Sequence, residues 1–302
     1  MCGIAGLFSK SGLIDEQLGS HLGRMICELA DRGPDSAGVA FYRDPAPCGT
    51  SKVSLYSPDP DYPWSALGDQ LSATFGGGFE PEPRASHALV VIEAGAEAIR
   101  EWLAEQQPQL RIMSIGERIE IFKEKGDPRG FVERFGLDSI SASHALAHTR
   151  MATESRVSTE HSHPFASGVD LCLVHNGSLS NHNRLRLELQ REGIHFDTDN
   201  DSEVAARYLS WRVSAGDTVA EALERSLEDL DGFFTFAVGT AEGLSVLRDP
   251  IACKPAVLAE TDDWVAMASE YRALAVLPGA ADAELWEPEP GRVYSWERSR
   301  VA

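Results

Sequence analysis

Positive charge is scarce in this 302-residue chain: 27 lysines and arginines face 47 aspartates and glutamates, giving a formal net charge of −20. A surface of that sign repels phosphate backbones and argues against nucleic-acid binding. The acidic residues are spread along the chain and do not form a tail, so the excess does not predict disorder. Long apolar runs are missing too. No segment approaches the roughly 18 uninterrupted apolar residues of a spanning helix. The opening MCGIAGLFSK has neither a basic region nor an apolar stretch of signal length. A soluble, cytoplasmic protein with no membrane partner is the expectation. Cysteine is sparse: Cys2, Cys27, Cys48, Cys172 and Cys253 are odd in number and contain no C-x-x-C pair. A disulfide framework or a structural zinc site is therefore not expected. Cys27, Cys172 and Cys253 read as small buried hydrophobes and Cys48 as incidental in a proline-rich loop. No internal repeat is present.

What is there suffices for one large core or two smaller ones, since 43% of residues are hydrophobic. Residues 3–8 (GIAGLF) read as a buried strand, followed by a helix from Asp15 to Ala30 on the spacing of Leu18, Leu22, Met25, Ile26 and Leu29. The polar turn Asp31-Arg32-Gly33-Pro34-Asp35 leads into a strand at Val39–Tyr42. Residues 44–86, dense in Pro, Gly, Asp and Ser, read as a loop or insertion with little core of its own. Strands are expected at 87–92 and 117–123, and helices at 93–106 and 127–135. Beyond residue 142 apolar strands end in polar turns: ASHALAHT into Arg150-Met151-Ala152-Thr153, and Leu171–Val174 into His175-Asn176-Gly177. Helices follow at 184–191, 198–209 and 218–230. A β-rich end then takes in 233–238, 244–248, 256–260, 264–268 and 293–296. Helices followed by a run of strands suggest sheets with helices on their outer faces.

Cys2 supplies the chemistry. Once Met1 is removed, Cys2 carries a thiol and a free α-amine on one residue, a nucleophile beside its own base. A thiol is partly ionised near neutral pH and intrinsically nucleophilic. An α-amine, with a reference pKa of roughly 7.7–8.0, is suited to take the thiol proton and return it to a leaving group.

Taken together, MCGIAGLF, DRGPDSAG, HTRMAT, HSHPF, VHNGSLSN and TDNDSE resemble the class II glutamine amidotransferases, which are N-terminal-nucleophile hydrolases. The likeness covers roughly residues 2–43 and 142–275. It implies an α+β fold, a four-layer α/β/β/α sandwich of two stacked antiparallel sheets. That would be one domain over residues 2–302, with a surface insertion at about 45–141. It also implies catalytic roles for Cys2, Asn176 and Gly177, the last two as oxyanion donors. Arg150 would bind the glutamine α-carboxylate with its planar fork, Thr153 would support that end, and Asp201 would bind the α-ammonium. Arg32 would pack near the nucleophile at the substrate site. Asp201 reads equally well as a helix N-cap, and the two roles can coexist. His161 and His163 read as structural parts of a His-Pro turn and not as metal ligands. His148 and His175 read as supports behind the site. Glu154-Ser155 after Thr153 departs from the family pattern.

The long separation of the Arg32 and Arg150 motifs is similar to the amidotransferase subunit of glutamate synthase-like complexes, with N-methylglutamate synthase the best match. This implies a glutaminase that converts L-glutamine to glutamate and passes ammonia to a partner synthase subunit. The partner would carry FMN and an iron–sulfur cluster, and this chain would carry no cofactor. Two alternatives stay open: a non-catalytic regulatory or scaffold subunit, and a hydrolase of another γ-glutamyl amide.

Overall fold

The first strand shows how the architecture arises. GIAGLFS is buried at every position because it has strands on both edges and layers on both faces, which is why it reads as an unbroken apolar run. The structure is a computed structural model whose described residues are 2–152 and 156–298.

In chain order the elements begin with β1 (Gly3–Ser9), α1 (Leu18–Leu29), β2 (Ser36–Tyr42), β3 (Ser51–Tyr56), α2 (Trp64–Phe75), β4 (Glu82–Arg84) and β5 (His87–Ile92). Next come α3 (Ala96–Gln106), β6 (Arg111–Gly116), β7 (Ile119–Lys125), α4 (Pro128–Arg134), β8 (His144–Arg150), β9 (Phe165–Ala166) and β10 (Cys172–Leu179). The chain continues through α5 (His182–Arg191), α6 (Asp201–Ser214), α7 (Val219–Asp229), β11 (Gly232–Gly239) and β12 (Gly243–Arg248). It ends with β13 (Val257–Glu260), β14 (Trp264–Ala268), α8 (Tyr271–Leu274), β15 (Glu284–Trp286) and β16 (Val293–Glu297).

Two antiparallel sheets stack. One has the order β15-β13-β14-β1-β8-β2-β7 and the other β16-β12-β11-β10-β9. Apolar residues between them, including Ile4, Phe8, Leu146, Val174, Val246 and Met267, form the central core. A second core joins the outer face of the first sheet to α1, α4 and α8, with Leu22, Met25, Phe122 and Phe131 among its members. A third joins the other sheet to α5, α6 and α7 through Leu189, Val204, Leu223 and Phe236. This is the expected four-layer α/β/β/α sandwich. Each fully buried Leu or Phe contributes about 1.5–3 kcal/mol, so every layer is held by its own apolar stripe.

The stretch 44–86 differs from the expectation of a loop with little core. It supplies β3, α2 and β4 to a third sheet, ordered β4-β5-β3-β6. This sheet packs with α2 and α3 around Val53, Leu55, Leu67, Leu71, Val90, Ile92, Ile99 and Leu103. The separate unit spans 51–116, narrower than 45–141, because β7 returns to the first sheet beside β2 and α4 packs on α1. The joint between unit and sandwich carries several polar contacts beside the packing of Met113 in the central core and of the His87 ring on Phe122 and Phe135. Lys52 pairs with Glu120 at 3.0 Å, and the Ser54 and Ser114 hydroxyls accept the Ile121 N–H at 3.1 and 3.2 Å. The unit thereby covers the free edge of β7, which would otherwise leave its backbone groups unpaired. Asp170 closes the joint by accepting the N–H groups of Glu117, Arg118 and Ile119 at 2.8, 2.8 and 2.9 Å.

The cysteines divide differently from expectation. Cys172 is buried, with the Tyr42 hydroxyl donating to its Sγ at 3.4 Å, and burial pushes its thiol up to about 12. Cys27 is half-buried, and Cys253 is exposed in the 249–256 loop, so Cys253 is not a core residue. It follows β12 at a turn, where no neighbouring layer covers it.

Candidate active site

The site forms where the ends of β1, β8 and β10 meet across the two sheets. Pairing of β1 with β8 aligns Gly3 with Thr149, and pairing of β2 with β8 aligns Ser36 with Arg150. Cys2, immediately before β1, therefore lies beside the end of β8. Ser269 fixes the start of β1, since its hydroxyl accepts the Ile4 N–H at 2.9 Å and its N–H donates to the Ile4 carbonyl at 3.0 Å.

The Cys2 thiol donates toward the Met151 carbonyl at 3.7 Å, one residue past Arg150. The Cys2 carbonyl receives two donors: Arg32 Nε at 3.0 Å and Asn176 Nδ2 at 3.4 Å. Arg32 thus holds the backbone of Cys2, and Glu270 holds Arg32 through an ion pair. Burial pushes the Glu270 carboxyl up, but the hydrogen bond and charge of Arg32, with Arg272, outweigh it and leave a net lowering.

Asn176 is only 4% exposed and stands opposite Thr235 in the β10–β11 ladder, with Gly177 opposite Phe234. Only glycine fits at 177, because a Cβ there would lie 2.0 Å from the Phe233 carbonyl oxygen. Gly33 is fixed by the same kind of close approach, 2.3 Å from a Cβ to the Thr149 carbonyl. That approach lets the Arg32–Asp35 turn sit on the end of β8.

Arg150 is 5% exposed, and its Nη1 donates to the Arg156 carbonyl at 3.1 Å. Burial lowers its pKa from the ordinary arginine value, while Cys2, Asp35, Asp201 and Asp199 pull the other way. It stays a cation, since a guanidinium does not deprotonate in proteins. Asp35 orders the chain after it, accepting the Ala152 N–H at 2.8 Å, and the Asp35 N–H donates to the Arg150 carbonyl at 3.0 Å.

Asp201 is the first residue of α6. The N-cap is Asn200, whose Oδ1 accepts the Ser202 N–H at 2.9 Å. The Asp201 carboxylate accepts the Leu179 N–H at 2.9 Å and the Ser202 hydroxyl at 3.2 Å, which ties the end of β10 to the helix. Thr153, together with Glu154 and Ser155, lies outside the described residues.

Behind the site three histidines are buried and neutral. His148 Nε2 contacts the His175 carbonyl at 3.1 Å, and its ring lies 3.9 Å from that of His163. His175 Nδ1 contacts the Ser202 hydroxyl at 2.9 Å. Burial lowers all three below the ordinary imidazole value, His148 to about 3. His161 bridges Ser158 Oγ at 2.8 Å and Asp199 at 3.1 Å. Among the described residues no group of three or more His, Cys, Asp or Glu side chains comes together to hold a metal.

The structure therefore brings Cys2, Arg32, Arg150, Asn176, Gly177 and Asp201 to one end of the sandwich. Sequence reasoning assigned nothing to Asp35, Ser269 or Glu270. Asp35 stood in a quoted motif and was findable as the turn's carboxylate. Glu270, 238 positions from Arg32, had no local signal.

Comparison with known proteins agrees with this geometry. A family model described as a glutamine amidotransferase domain matches residues 148–276. The chain is 51% identical over 303 residues to the glutamine amidotransferase-like protein GlxB of Rhizobium meliloti, covering 100% of each. It is 31% identical to a putative glutamine amidotransferase of Methanothermobacter thermautotrophicus, covering 97% of this chain and 99% of that one. In fold it is similar to the glutamine phosphoribosylpyrophosphate amidotransferase of B. subtilis, with a TM-score of 0.62 at 20% identity over 99% of this chain. The chain spans about half the length of that solved structure, 50%. With two relatives matched essentially end to end, this chain belongs to the glutamine amidotransferase family.

Proposed function

We propose that the chain hydrolyses L-glutamine to glutamate through a thioester on Cys2 and hands the ammonia to a partner synthase subunit. The observation that carries this is the convergence of Arg32 and Asn176 on the Cys2 carbonyl, with Cys2 Sγ directed at the residue after Arg150.

In this reading Met1 is removed and the Cys2 α-amine takes the thiol proton. Sγ attacks the glutamine γ-carbonyl carbon, and the π electrons move to the oxygen. The Asn176 carboxamide and the Gly177 N–H receive that oxyanion. Collapse of the intermediate breaks the C–N bond, and the α-ammonium protonates the departing nitrogen, releasing ammonia and leaving the thioester. Water adds to the thioester carbonyl with the amine again as base, and Sγ leaves as glutamate is released. Arg150 faces the α-carboxylate as a bidentate donor, Thr153 supports that end, and Asp201 faces the α-ammonium. Arg32 holds the nucleophile's backbone for the same chemistry.

The partner belongs to a glutamate synthase-like or N-methylglutamate synthase complex in this reading. It supplies the FMN and iron–sulfur chemistry, and this chain supplies none. Purified chain should release glutamate from glutamine, alone or with its partner, and Cys2→Ala should release none. Equal release by both proteins would remove the catalytic reading and leave a scaffold role.

A further inference from the structure

Lys123 stands where the pattern of its strand calls for an apolar residue. Ile119, Ile121 and Lys123 share one face of β7, and the two isoleucines lie in the core between the sheets. Lys123 is 5% exposed. Its ammonium donates to three backbone carbonyls, those of Ser162 at 2.8 Å and of Glu160 and Pro164 at 3.2 Å each. It also lies 4.7 Å from the centroid of the Phe165 ring. An ammonium has three N–H groups, and here all three acceptors come from one short segment, 160–164. Burying such a cation is costly unless its hydrogen bonds are all made, so a lysine here makes sense through what it does to that segment.

The segment leads to the site. The His161 side chain meets Asp199 at 3.1 Å, and its carbonyl accepts Asn200 Nδ2 at 3.4 Å. Asn200 caps α6, whose first residue is Asp201. The His163 ring packs on His148, which contacts the carbonyl of His175 next to Asn176. The residue just before the segment, Thr159, lies beside Tyr56 at the end of β3 in the 51–116 unit.

We propose that Lys123 is a positioning residue for glutamine: its ammonium staples residues 160–164 to β7, and through His161 and Asn200 this staple fixes Asp201 at the amino-acid head of the substrate. The inference rests on the proposed glutaminase function. It adds that the strand joining the 51–116 unit to the sandwich sets the grip on substrate, not the reactivity of the thiol.

The charged and titratable groups around the ammonium are Glu203, Glu160 and Asp197, with Arg150 opposing them and the neutral imidazoles of His87 and His163 nearby. Burial lowers Lys123 from its ordinary value to about 8. The staple is therefore complete at neutral pH and weakens as the ammonium loses its proton above that value.

The test is glutamine hydrolysis by the full chain, wild type and Lys123→Met, with Cys2 alkylation by iodoacetamide as a readout that needs no amino-acid head. Loss of the staple should raise the glutamine KM about tenfold or more, while kcat and the alkylation rate stay within about threefold. Folded Lys123→Met with a wild-type KM overturns the proposal. So does a parallel loss of kcat and alkylation at constant KM, which would mark a general structural role. If Lys123→Met does not fold, Lys123→Ala leaves a hole for added propylammonium. A KM that falls as propylammonium is added supports the staple, and a KM indifferent to it overturns it. A wild-type chain that alkylates normally but neither binds nor hydrolyses glutamine, with or without its partner, removes the glutaminase reading and this inference with it.

Discussion

The sandwich and the 51–116 unit are built from the same materials, antiparallel strands with helices on their faces, and differ in what their strand ends carry. The sandwich's ends hold Cys2, Arg150, Asn176 and Asp201, whose polar atoms engage the backbone there: Asn176 the Cys2 carbonyl, Cys2 that of Met151, Arg150 that of Arg156, and Asp201 the Leu179 N–H. The unit's strand ends hold no such convergence among the described residues, and its buried Lys52, Ser54 and Ser114 face the sandwich instead. Each region has an apolar core of its own, and the joint combines polar contacts with Met113 in the central core and the His87 ring on Phe122 and Phe135. Chemistry and attachment are therefore distributed, and each can be disturbed without the other.

The largest effect should come from Cys2, the proposed nucleophile. Cys2→Ala should lower glutamine hydrolysis by more than about 10⁴-fold while the fold persists, read by turnover and by circular dichroism. Asn176→Ala should cost about 2.7–4 kcal/mol of transition-state stabilisation, a drop of 10²–10³ in kcat with KM little changed. In the other region, Leu67→Ala should remove about 2–5 kcal/mol from the unit's stability. Hydrogen exchange should speed up across 51–116, with kcat held within about twofold. Equal loss of activity from Leu67→Ala and Asn176→Ala would erase the distinction between the regions. At the joint, Asp170→Ala should cost about 1.5–3 kcal/mol, because it removes a charged acceptor from three N–H groups. Protection of the 117–119 amides should fall first.

Acid should not discriminate between the regions. Burial lowers His87 in the unit, and His144 and His148 in the sandwich, each to about 3. Below about pH 6.5 the unfolded chain takes up protons on these groups and the native chain does not. Stability is therefore full above that pH and falls on acidification, by up to about 1.4 kcal/mol per unit per histidine. A thermal midpoint flat from pH 7 to 5 would contradict that burial.

The comparison also explains what was legible in sequence. The site's residues stand in short motifs at strand ends, where an apolar run stops and a polar turn begins, so Asn176-Gly177 and Arg150 were visible. The helices α1 and α7 were visible from the spacing of their apolar residues. Within the expected insertion, the 44–86 stretch was read as loop because β3, SKVSLY, carries Ser51, Lys52 and Ser54 on strand positions. Val53 and Leu55 face its own core, while Lys52 and Ser54 find their side-chain partners outside the unit, in Glu120, the Asp44 carbonyl and the Ile121 N–H. A buried polar face looks like a loop until its partners are known. Glu270 and Lys123 were hidden for the same reason, since their partners lie 238 and about 40 positions away.

The central claim is that Cys2 is the glutamine-directed nucleophile. The direct measurement is to treat the purified chain, with and without the proposed partner subunit, with 6-diazo-5-oxo-L-norleucine, then record intact mass and map the adduct by peptide mass spectrometry. The account predicts a chain lacking Met1, a single adduct on Cys2, and protection by glutamine. A retained Met1, or no label on Cys2 even with the partner present, would contradict it.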